Sequence, residues 1–144
     1  MRVAERYLPA DLLNRASLHG EEYAWPLHDI PEVIEAARRA DLVSIGGQLQ
    51  FRLPDAGVCE CYWVEVDTHR SVPKALPWSD RVEETAKVAL AAFNNLSAEY
   101  DFLAEGRRGF ADHLQAFEAQ GQDPRQVMCF VWYVESAAND GANP

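Results

Sequence analysis

The sequence predicts a single α+β domain in which an antiparallel sheet, a hairpin plus a C-terminal strand, carries helices packed mainly on one face. Three observations point to it. Residues 42–67 alternate apolar and polar side chains about the run Pro54-Asp55-Ala56-Gly57, the period-2 pattern of a half-buried hairpin. Residues 127–134, VMCFVWYV, are apolar on both faces, as a central strand covered on both sides requires. Between them Val82, Ala86, Ala89, Phe93, Leu96, Tyr100 and Leu103 recur at alternating four- and three-residue steps, an apolar helical stripe.

Each element has its own local reason. Residues 9–17 suit a short helix with Leu12, Leu13 and Ala16 on one side, and residues 21–25, EEYAW, suit an edge strand. Asp29-Ile30-Pro31-Glu32 reads as a helix start: Asp29 caps, Pro31 takes the first turn and Glu32 reaches back. That helix buries Val33, Ile34 and Ala37 and ends near Ala40 or Asp41. In the hairpin, a three-residue loop Asp55-Ala56-Gly57 with Gly57 in the left-handed region pairs Leu53 with Cys59, Phe51 with Cys61 and Leu49 with Trp63. The same register sets Arg52 opposite Glu60 on the other face, a favourable charge pair. After a proline-containing connection over 68–78, Asp80 and Glu83 repeat the capping signal and open the longest helix, which Gly106 ends. A second helix carries Phe110, Leu114 and Phe117 and stops at Gly121. The domain spans 1–135, and 136–144 form a flexible tail.

A chain of 144 residues buries a core without staples. Its 13 Lys+Arg against 23 Asp+Glu give a formal charge of −10, a surface that repels phosphate backbones and anionic membranes and attracts basic partners. Nucleic-acid and membrane partners are therefore not expected; a protein partner is. Cys59, Cys61 and Cys129 are an odd number in strand-like runs, which suits buried reduced thiols, and residues 1–9 lack an apolar signal core. The expected location is the cytoplasm.

No constellation carries a catalytic signature. Gly46-Gly47-Gln48 matches the tripeptide of peptide-chain release factors, but it lies inside an alternating strand of an acidic chain, where a glycine bulge or close backbone approach explains it. Cys59-x-Cys61 offers two thiols on one strand face, but that face also carries Trp63 and meets Leu53 and Phe51, so core thiols are the reading and no metal site is expected. His19, His28, His69 and His113 fall in no metal-ligating or triad spacing, and neither catalytic residues nor a cofactor are expected. The apolar helical stripe is read as docking on the chain's own sheet rather than as a dimer seam. That leaves the second face of the hairpin: Gln48, Gln50 and Arg52 against Glu60, Tyr62 and Val64. This mixed polar and aromatic strand surface suits a partner-binding platform centred on Gln48, Gln50, Arg52, Glu60 and Tyr62. A solvated sheet face with one tyrosine accounts for it as well.

The segment GGQLQFRLPDAGVCECYW, with YAWPLHDIPEVIEAARRADL before it, resembles a group of small uncharacterised bacterial proteins associated with the immunity proteins of toxin systems. The matching residues run from 23 to 63, under a third of the chain, and Cys59-Glu60-Cys61-Tyr62-Trp63 resembles the group's second strand. Ala56 departs from the pattern by lengthening a turn expected as Pro-Asp-Gly. The resemblance implies a small, acidic, cytosolic, non-enzymatic inhibitor of a toxin domain, such as a basic nuclease. Two readings stay open on sequence. One is this binding module. The other is a small enzyme or ligand-binding domain whose site lies between the sheet and the 68–78 loop, using His69 and Trp78.

Overall fold

The alternation over residues 43–67 folds into two long antiparallel strands, β3 (Val43–Leu53) and β4 (Gly57–Asp67), in the computed structural model, which describes residues 3–54 and 57–139. The C-terminal apolar run becomes β5 (Met128–Glu135), which pairs with β3 on one side and with β2 (Glu22–Trp25) on the other. A three-residue strand, β1 (Ser17–His19), completes an all-antiparallel sheet in the order β1-β2-β5-β3-β4. The run over 21–25 is thus a strand but not an edge. β1 is the edge, and its first residue falls within the predicted N-terminal helix; three exposed residues are too few to show a period.

Among the described residues four α-helices cover one face of this sheet: α1 (Ala10–Arg15), α2 (Ile30–Arg39), α3 (Trp78–Glu99) and α4 (Phe102–Ala119). One continuous core joins Leu12, Ile34, Phe93 and Leu114 to the sheet residues Trp25, Phe51, Phe130 and Trp132. Phe93 meets Phe130 edge to face at 5.2 Å, so the helical stripe is docked on the chain's own sheet. The α+β architecture with helices on one face is the predicted one.

Several local expectations fail for identifiable reasons. The hairpin pairs Leu53 with Gly57, Phe51 with Cys59, Gln50 with Glu60 and Leu49 with Cys61, two residues out from the predicted register. A slip of two preserves every facing, so alternation alone does not detect it. Gly57 has the expected positive φ, 86°, but as the first paired residue of β4; Asp55 and Ala56 of the turn lie outside the described residues. Asp29 and Glu32 do not cap α2. Both accept from Arg15, at 2.8 Å to Asp29 and 3.1 and 2.8 Å to Glu32, because the guanidinium at the end of α1 is a stronger partner than backbone N–H groups. α3 begins at Trp78, directly after Pro77, before the Asp80 signal. It ends at Glu99, and Asp101 starts α4 by accepting from the Ala104 N–H at 3.1 Å, so Leu103 belongs to α4. Gly106 lies inside α4 because a Cβ there would sit 2.4 Å from the Phe51 ring. Of the predicted tail, Ser136 is buried and Ala137–Asn139 form a 3-10 turn, while 140–144 lie outside the described residues.

Candidate functional site on the open face of the sheet

Strand alternation that sends Phe51, Cys61 and Phe130 toward the helices sends their neighbours to the opposite face, which carries no α-helix among the described residues. Register places Ala24 beside Val131, Val131 beside Gln48, Cys129 beside Gln50, and Gln50 beside Glu60. Gly46 and Gly47 permit that packing. A Cβ on Gly46 would lie 1.9 Å from the Val66 carbonyl oxygen, and one on Gly47 1.6 Å from that of Val131. The glycine pair is a close approach to both neighbouring strands, accompanied by a register shift against β5 between Ser44 and Gly46.

Three of the five predicted platform residues form one linked row. Gln50, fully buried, donates to Glu60 Oε1 at 3.3 Å and accepts from Arg52 Nε at 3.0 Å. Glu60 and Arg52 are therefore joined through an amide rather than directly. Arg52 reaches across β5 and donates from Nη1 to the Ser17 carbonyl at 2.8 Å, the Ser17 hydroxyl at 3.2 Å and the Glu22 carbonyl at 3.0 Å, tying β1 and β2 down. Gln48 lies beside the Tyr133 hydroxyl together with Glu22. Burial, reinforced by the Glu22 carboxylate, pushes the Tyr133 phenol up to about 12. Tyr62 stands apart from this row. It is 72% exposed, and its ring packs edge-on against Trp63 at 5.4 Å. Val64 was expected on this face but is buried in the helix-side core, because the β3–β4 register shifts between Gln48 and Leu49.

The residues that sequence reasoning missed come from the β1–β2 turn. A groove of about 450 Å³ runs between that turn and β4, lined by His19, Gly20, Glu21, Glu22, Val58 and Glu60. Among the described residues no Lys, Arg or His side chain pairs with Glu21, Glu22 or Glu60. Glu35, by contrast, lies 2.6 Å from Arg38, and Glu118 lies 2.7 Å from Arg107. Arg38 and Arg39 hold the Glu35 carboxyl down at about 2. The negative charge of the open face is thus left for solvent or a partner. Tyr133 and Glu22 sat at alternating positions of strands that had been recognised, but finding them required the order in which those strands pair.

Cys59 and Cys61 point into the core, and burial pushes the Cys61 thiol up to about 12. No group of three or more metal-ligating side chains occurs among the described residues, and none of their helices is long and apolar enough to cross a membrane. The contacts of His69 and Trp78 are separate ones. The His69 backbone N–H donates to Asp67 with its side chain exposed, while the Trp78 indole donates to the Asp41 carbonyl at 3.0 Å under the Arg81 guanidinium. A separate cavity of about 340 Å³ near the C-terminal end of α4 counts Leu53, Phe117, Val127 and His113 among its lining residues. No protein-family model, curated protein or solved structure matches the chain.

Proposed function

We propose that the chain is a cytoplasmic protein-binding module of the immunity kind, whose open sheet face occupies a basic surface of a toxin domain. The observation that carries this reading is the groove edge formed by Glu21, Glu22 and Glu60, carboxylates without cationic partners among the described residues, with Tyr62 exposed on the same strand as Glu60. Unpaired carboxylates lose little when a partner's lysines and arginines arrive, since no existing ion pair has to break. A formal charge of −10 adds long-range attraction for such a surface and opposes nucleic acid and anionic membranes. Tyr62 supplies amphipathic contact area at low entropic cost, the property of interface anchors. Buried thiols, with Cys129 held up at about 11 by burial, suit a reducing compartment.

The test is functional. The full chain serves as bait in its native host, and each captured protein is expressed with and without it. The reading predicts a captured partner that arrests growth alone and not with the wild-type chain, and protection that fails with Glu60→Lys/Tyr62→Ala. Partners that are harmless alone, or full protection by that variant, would overturn it.

A further inference from the structure

The two edges of the sheet are unequal. β1 ends one side with three residues, whereas β4 ends the other with eleven and pairs only with β3. From Gly57 to Cys61 the β3–β4 ladder is regular, each residue facing one on β3. It then breaks, and Tyr62, Trp63 and Val64 have no residue opposite them before Glu65 meets Gln48. Along a regular antiparallel strand, alternate residues turn their N–H and C=O groups to opposite sides. Among the described residues no second strand pairs with the outer side of Gly57–Cys61, and no loop or cap backbone group bonds to it. Sheet edges are commonly guarded by brevity, bulges, proline or charge. Brevity guards β1 and the break at 62–64 guards the far half of β4. Over Gly57-Val58-Cys59-Glu60-Cys61 the only such guard is the exposed charge of Glu60. That charge repels a second copy of the same acidic edge and attracts a basic strand.

We propose that an extended basic segment of the protein partner adds to this edge as a further strand beside Gly57–Cys61, with a lysine or arginine opposite Glu60. The inference rests on the reading of the chain as a binder of a basic protein and names the form in which that protein is held. Main-chain hydrogen bonds supply the attachment, and alternate side chains supply the selectivity. Five residues give a footprint of about 17 Å. Cys59 and Cys61 face the core and Val58 and Glu60 face away from it, so the added strand carries small or apolar side chains on one face and basic ones on the other. The carboxylates of Glu21 and Glu22 stand across the groove from Glu60 and add to the attraction for such a segment. Tyr62, exposed directly after the regular ladder, marks the end of the footprint.

The probe is the hexapeptide acetyl-Lys-Thr-Lys-Val-Lys-Thr-amide, basic and composed otherwise of strand-forming residues. One control is the same peptide N-methylated at two successive residues, so that neither of its edges can pair; the other carries glutamate in place of each lysine. The full-length wild-type chain is titrated with each, and backbone amide shifts and hydrogen exchange are followed by NMR. The expected result is saturable shifts at 57–62 with the basic peptide, and slowed exchange at every second residue of 57–61. Neither control should produce them. Glu60→Lys should weaken the basic peptide about fivefold, the loss of one cross-strand charge pair. No saturable binding, equal effects of the N-methylated peptide, shifts without alternate-residue protection, or unchanged affinity in Glu60→Lys would each overturn the proposal. Should that variant fail to fold, the three peptides on the wild-type chain decide alone. The two readings fail separately. If a captured toxic partner is neutralised but the edge amides gain no protection from the peptide, the strand addition is wrong and the binding module stands. If the peptide protects the edge but captured partners are harmless, the edge site stands and the toxin reading falls.

Discussion

Gly47 sits between β5 and β4 with the Val131 carbonyl oxygen where its Cβ would be, at 1.6 Å, and backbone on a central strand has nowhere to retreat. Gly47→Ala should cost about 3 kcal/mol or more, at the upper end of overpacking penalties. Urea titration checks this, and a loss under about 1 kcal/mol would mean the strands are not so close. Proton linkage acts at the same scale. Burial raises Cys61 from 9.0 to about 12, Cys129 from 9.0 to about 11 and Tyr133 from 10.0 to about 12. The folded chain therefore keeps protons that the unfolded chain releases. Their stabilisation is complete below pH 9 and is lost as pH rises toward 11 and 12, by at most about 1.4 kcal/mol per pH unit for each group. Thermal unfolding from pH 8 to 10.5 should show a falling Tm, and Cys61→Val should flatten the decline. An unchanged slope in that variant would contradict the burial of its thiol.

At the scale of elements, α3 fastens the helical layer to the sheet through Phe93, which is 4% exposed against Phe130. Phe93→Ala should cost about 3–5 kcal/mol, whereas Leu90→Ser on the exposed flank should stay within about 0.5 kcal/mol. Comparable effects of the two would mean that the stripe is misassigned. The layer arrangement was legible because period 2 in the hairpin and the three- and four-residue steps of the helix state which faces are buried. What stayed hidden was pairwise. The hairpin register slipped by two, because Gln50 and Arg52 share a face and either can stand opposite Glu60. The Glu99/Phe102 break was missed because the apolar stripe runs on in sequence through Tyr100 and Leu103 across a change of helix, with Asp101 its local signal. That Gln48, Gln50, Arg52 and Glu60 share the face turned from the helices was readable, but the burial of Gln50, the separation of Tyr62 from the row and the partners that shape it, Glu22 and Tyr133, became visible only once β2 and β5 were set side by side.

For the whole molecule, the α-helices of the described residues and the main core occupy one side of the sheet, and the other side sets a small apolar cluster of Ala24, Cys129 and Val131 among polar groups, with carboxylates gathered at one end and Arg52 at the other. Electrostatic recognition by such a face shows chiefly in the association rate and its dependence on salt, while an aromatic anchor shows in dissociation. The central claim is that this face binds a basic protein. Surface plasmon resonance of the captured toxic partner on the wild-type chain and on Glu21→Lys/Glu60→Lys/Tyr62→Ala, at low and physiological salt, tests it most directly. The account predicts at least about thirty-fold weaker binding in the variant, the cost of losing one true anchor, with a slower association rate that no longer depends strongly on salt. Wild-type affinity and wild-type salt dependence in a variant of unchanged Tm would contradict it.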